Sequence, residues 1–123
     1  MDLSNEKLIE MYRTMKKIRK FETKAGELFA EGRIHGFVHL YIGEEAVATG
    51  VCANLKDSDY ITSTHRGHGH IIAKGGDLKY MFAELYGKET GYCKGKGGSM
   101  HIADADRGIL GANGIVGAGH NIA

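Results

Sequence analysis

The sequence of 123 residues has no proline, no tryptophan, two cysteines and a formal net charge of only +1. So even a charge balance gives no electrostatic reason to expect nucleic acid or an anionic membrane as partner. No stretch reaches the roughly 20 apolar residues that span a bilayer, and the start MDLSNEKLIEMYRTMKK has no apolar signal core. Cys52 and Cys93 lie far apart and form no C-x-x-C pair. Both are expected to be reduced, structural thiols in a cytoplasmic protein. No internal repeat and no disordered linker interrupts the chain, so residues 1–123 are expected to be one domain or a portion of one.

What the sequence has in quantity is glycine: 19 residues, most of them after position 66. The first half is patterned for helix. Leu8, Tyr12, Met15, Ile18, Phe21, Ala25 and Leu28 recur near the 3.6-residue period, with Ser4 as N-cap and Gly32 as stop. A second helix is expected in GEEAVATGVCANL, with Glu44 and Glu45 at its positive end. DYITST (Asp59 to Thr64) is short and β-branched and predicts a buried strand. HGHIIAK predicts a short helix, and DLKYMFAELYG another, capped by Asp77 and ended by Gly87. Beyond Gly87, glycines are too frequent for regular structure, except for a helix expected from about Ile115. The fold class is α/β, helix-rich with few strands. A lone strand leaves backbone groups unpaired, so further strands are required.

The run STHRGHGH, Ser63 to His70, concentrates three histidines and an arginine after the predicted strand. One reading is a zinc site on His65, His68 and His70, as in a metallohydrolase, although no second compact group of ligands follows. Another is a solvated polar loop. The third is an anion site at the carboxyl end of a strand, where open α/β sheets place their ligands. Arg66 offers a planar fork suited to phosphate oxygens, and Gly67 and Gly69 permit close approach of the backbone. CKGKGGS is not a P-loop: Gly97 follows Gly95-Lys96 where Ser or Thr is needed, and Thr90 replaces the first glycine. No G-x-G-x-x-G occurs. Lys94 and Lys96 read as a solvated basic turn, and Ser99 as a local cap, since spacing identifies no base to activate it.

Four segments in order, GFVHLYIGEEAVATGV, DYITSTHRGHGH, KGKGGSMHIAD and GANGIVGAG, resemble the alpha subunits of thiamine diphosphate-dependent 2-oxo acid dehydrogenases. The Thr-His-Arg-Gly-His-Gly run is most similar to the acetoin dehydrogenase members. The resemblance extends from about Leu8 to Gly119 and implies the amino-terminal part of a thiamine diphosphate-binding fold. It implies that His65 and Arg66 contact the cofactor diphosphate, and that His39 lies close to the cofactor. Backbone groups of Gly114, Ile115 and Val116 would meet the aminopyrimidine, while His68 and His101 would lie in active-site loops and assist proton movement or approach of the lipoyl group.

The implied activity cleaves acetoin or decarboxylates a 2-oxo acid and passes the acyl unit to a lipoyl group. The implied partners are a beta subunit, a lipoyl-bearing acyltransferase and a small-molecule substrate. The implied cofactors are thiamine diphosphate and magnesium. The Gly-Asp-Gly motif that holds magnesium in that family is absent, and its place would fall beyond Ala123. The 123 residues alone are therefore expected to be catalytically incompetent: a portion of an active subunit, half of a split one, or an interaction module without turnover.

Overall fold

Ser4 opens the first helix as expected: its hydroxyl accepts the Lys7 N–H at 3.2 Å. The computed structural model, which describes residues 3–122, then runs α1 (Asn5–Ala30), α2 (Glu45–Cys52), β1 (Ile61–Ser63), α3 (His68–Ala73) and α4 (Leu78–Leu85). Two single turns of 3-10 helix (Gly98–Met100 and Ala105–Arg107), β2 (Ile109–Ala112) and α5 (Gly119–Ile122) follow. At the end of α1, Gly32 takes a φ of 71°. Its N–H bonds Phe29 O, and the next N–H, of Arg33, bonds Leu28 O, each at 2.9 Å. Gly87, with φ 65°, closes α4 by the same pair of bonds. This is the left-handed helix ending for which a residue without Cβ is suited.

The core is built from the carboxyl-terminal half of α1. Ile18, Phe21, Ala25 and Leu28 pack with Tyr41, Ala48, Ile71, Ile72, Met81 and Leu85. Helices α1, α2 and α3 pack against one another in this core. The amino-terminal half of the same stripe departs from expectation: Leu8 is 48% and Tyr12 61% exposed. Periodicity marks an apolar face, but burial needs a covering element, and in the first turns the side that faces α2 carries Lys7, Met11 and Thr14 instead.

The α/β expectation is met by a two-stranded parallel sheet. Sequence pattern did not announce β2, and β1 is only half covered rather than buried: Ile61 packs against the core while Thr62 is exposed. Ile61 pairs with Ile109 and Ser63 with Ala112, with a register irregularity between. The helix expected from Ile115 begins only at Gly119, and Ile115 and Val116 are 70% and 79% exposed instead of packed. No helix among the described residues is long and apolar enough to cross a membrane.

Candidate functional site

Because β1 and β2 are parallel, their carboxyl ends lie at one edge of the sheet. There β1 leads into Thr64, His65 and Arg66, and β2 into Asn113, Gly114, Ile115 and Val116. The Asn113 N–H donates to Ser63 O at 2.9 Å, which ties the two exits together. Two segments about fifty residues apart, singled out separately in the sequence, thus leave the sheet side by side. Beyond β2, the Ile115 N–H donates to Asn113 Oδ1 at 2.8 Å and sets the first turn of the segment.

His39 joins this edge from the loop between α1 and α2. Its ring meets that of His65 edge to face, with centroids 5.4 Å apart. The Nδ1 atoms of both rings are buried and have no hydrogen-bond partner within the protein. Arg66 is half-buried, and its Nη1 donates to Leu40 O, one residue from His39. Burial first, then the neighbouring His65, Arg66 and His68, holds the His39 imidazole below its ordinary value, so its neutral form prevails at neutral pH. A guanidinium and two imidazoles with unsatisfied nitrogens make a donor set for an anionic group.

His68 lies elsewhere. It is fully buried, with Nδ1 2.8 Å from Glu22 Oε1 and Nε2 within 3.1 Å of Ser99 O and 3.0 Å of Ser99 Oγ. Neither ring nitrogen is free to meet a substrate. His70 stacks edge-on to Tyr41, with its Nε2 3.3 Å from the Tyr41 hydroxyl. Burial pushes that phenol up to about 12 and holds His70 low, so both groups are neutral at neutral pH. The zinc reading is thereby overturned: His65, His68 and His70 turn to three different partners. Among the described residues no three His, Cys, Asp or Glu side chains gather to hold a metal. His101 is exposed, with its Nδ1 3.1 Å from Ala112 O and its ring beside Gly114, so it borders the edge built by β2.

Two buried carboxylates escaped the sequence reading. Glu22 accepts the Tyr41 N–H at 3.1 Å through Oε2, besides its contact with His68. Glu84 accepts four backbone N–H groups, from Cys93 (2.8 Å) and Gly95 (2.9 Å) at Oε2 and from Gly97 (2.7 Å) and Gly98 (3.1 Å) at Oε1. A signal existed for both. Glu22 falls on the stripe of Ile18 and Ala25, and Glu84 lies three residues after Met81, so each is an acid on an otherwise apolar helix face. A cavity of about 440 Å³ lies away from these groups, between Tyr80, Tyr92, Ala103 and Asp106. The histidine–arginine edge forms a rim at the carboxyl ends of β1 and β2.

The sequence profile of the family described as "Dehydrogenase E1 component" matches residues 13–123, and the chain belongs to that family. Over its full 123 residues it is 67% identical to the alpha subunit of acetoin:2,6-dichlorophenolindophenol oxidoreductase from Bacillus subtilis (strain 168), of which it covers 37%. The subunit of the same name from Cupriavidus necator is 57% identical over 117 residues, 95% of this chain and 35% of that protein. A pyruvate dehydrogenase E1 component subunit alpha, from Zymomonas mobilis, is 49% identical over 114 residues, 92% of this chain and 32% of that protein. The chain spans about a third of the length of these curated relatives.

Proposed function

We propose that this chain forms the amino-terminal part of the alpha subunit of a thiamine diphosphate-dependent dehydrogenase acting on acetoin or a 2-oxo acid. Such an enzyme works with a beta subunit and passes the acyl unit to a lipoyl group on an acyltransferase. The observation that carries this reading is the shared edge: parallel strands bring His65 and Arg66 beside Gly114, Ile115 and Val116, with His39 facing them.

The residues fit the cofactor. Arg66 and His65 would hold the diphosphate, where a guanidinium fork opposes its charge and a ring nitrogen without an internal partner would supply a hydrogen bond. Main-chain groups of Gly114, Ile115 and Val116 would border the aminopyrimidine. When bound, the cofactor supplies a thiazolium that acts as an electron sink for carbon–carbon cleavage.

The chain's own contributions are binding, orientation and proton handling. The Leu40 carbonyl fixes one arm of Arg66 and leaves the rest of the fork to the ligand. His39, kept neutral, can hold or release a proton at Nδ1 near the reacting groups. His101, exposed on the β2 side, would meet an incoming lipoyl group. Magnesium would draw its oxygen ligands from outside these residues.

The test is Arg66→Ala in the whole alpha subunit assembled with its beta partner. Losing a charge-assisted contact is expected to weaken thiamine diphosphate binding by about 10- to 100-fold. Acetoin-dependent reduction of 2,6-dichlorophenolindophenol should fall at limiting cofactor and recover in part at high cofactor. Unchanged affinity would remove Arg66 from the site and the reading with it.

A further inference from the structure

The loop carrying His39 has no strand partner, yet its main chain is bound at consecutive residues. The His39 N–H donates to Ser99 Oγ at 3.2 Å, the Tyr41 N–H to Glu22 Oε2 at 3.1 Å, and Leu40 O receives Arg66. Below this loop, the Leu40 side chain rests against Gly26 of α1, where an added Cβ would come within 3.1 Å of Leu40 Cδ1. The two acceptors under the loop are not independent. His68 bridges them, with Nδ1 on Glu22 Oε1 and Nε2 on Ser99.

Glu22 and His68 are 0% exposed and Ser99 is 6% exposed, so water does not compete for these contacts. Phe21 closes on the His68 ring edge to face at 5.6 Å. A buried carboxylate and imidazole without partners would be costly, and here both oxygens of Glu22 and both nitrogens of His68 are engaged. Such a network admits few alternative arrangements, and loss of one member shifts its neighbours.

We propose that Glu22, His68 and Ser99 are positioning residues for the diphosphate end of the cofactor site. Through the N–H groups of His39 and Tyr41 they fix the loop whose His39 ring faces His65 and whose Leu40 carbonyl aims Arg66. The three touch neither cofactor nor substrate. They lie on α1, on α3 and in the turn at Gly98–Met100, and so make the geometry of the rim depend on the packing of three separate elements. The inference rests on the cofactor reading above and extends it to residues that the rim itself does not contain.

The experiment uses the whole alpha subunit with its beta partner and compares Ser99→Ala, Ser99→Thr and Arg66→Ala. Two quantities are read: the dissociation constant of thiamine diphosphate at saturating magnesium, and the titration of the His39 ring by NMR. Ser99→Ala is expected to raise the dissociation constant about tenfold. It should also move the His39 titration up toward its ordinary value as the ring gains water. Ser99→Thr, which keeps the hydroxyl, should restore both.

A structural role alone would lower the unfolding midpoint without moving the His39 titration, and that result would overturn the proposal. If Ser99→Ala fails to fold, Glu22→Gln, which keeps an oxygen for the Tyr41 N–H, is read in the same way. If Arg66→Ala weakens binding while Ser99→Ala leaves both quantities unchanged, the positioning network is refuted and the cofactor reading stands. If Arg66→Ala has no effect on binding, the cofactor reading fails and the proposal falls with it.

Discussion

Asn113 donates its backbone N–H to the carbonyl of Ser63, and with its side chain accepts the N–H of Ile115. One residue therefore joins the end of β2 to the end of β1 and also shapes the turn that follows. The segment Gly114 to Val116, whose apolar side chains are exposed, takes its path from this residue more than from packing.

Asn113→Ala keeps the main-chain bond and removes the side-chain acceptor. In the assembled subunit it is expected to weaken thiamine diphosphate binding by about fivefold, the worth of about one hydrogen bond. The unfolding midpoint should change little, since the contact is exposed. Calorimetric titration and thermal unfolding of the same preparation check both statements.

Gly69 lies within α3, where alanine is favoured by about 1 kcal/mol on helix propensity alone. A Cβ at this position would lie 2.2 Å from the ring of Tyr41, a fully buried side chain with no room to retreat. Overpacking of that kind costs about 1–3 kcal/mol, so the clash outweighs the propensity gain. Gly69→Ala is expected to lower the urea midpoint; a neutral or higher midpoint would show that Tyr41 can move.

Replacing Glu84 by glutamine sets an amide NH2 against backbone N–H groups that now point at a carboxylate oxygen. Two of the four bonds are lost and two donors are left facing a donor. Glu84→Gln is expected to destabilise the fold by about 3 kcal/mol, with hydrogen exchange quickening first at the pair that faces the amide NH2, either Cys93 and Gly95 or Gly97 and Gly98.

Acid should destabilise the protein in two stages. His39 and His70 are both held below 6.5, chiefly by burial, so the unfolded chain binds protons that the folded chain refuses. Their contribution is present above pH 6.5 and is lost as pH falls through the lower folded values. Glu45 is drawn from 4.5 to about 2, first by its hydrogen bond with Arg19, with further help from the Gly43 N–H. Its contribution is present above 4.5 and is lost as pH falls toward 2. Urea midpoints followed from about pH 8 to about pH 3 should show both stages. His70→Gln should flatten the first, and Glu45→Gln the second.

Local chemistry made the helices legible. Ser4 and Asp77 cap as their side chains allow, and Gly32 and Gly87 end helices at positive φ. β2 was not legible because Ile-Leu-Gly-Ala has no alternation and acquires strand geometry only from pairing with β1, far away in sequence. At the site, His65 and Arg66 were marked by their glycine neighbours and by resemblance, but nothing local separates the buried His68 from the half-exposed His65 three residues earlier. That difference comes from Glu22 and Ser99, whose approach depends on tertiary packing.

The loop around Glu84 also works by parity. From Cys93 to Gly97, alternate residues Cys93, Gly95 and Gly97 turn their N–H groups inward while Lys94 and Lys96 between them are exposed, and Gly98 adds a fourth inward N–H where the alternation ends. Inserting or deleting one residue there would exchange the two sets, pointing lysine main chain at the carboxylate and leaving glycines at the surface. The number of residues in this stretch is thus as much a structural element as any side chain in it. Its lysines can be exchanged for other polar residues far more readily than its length can be altered.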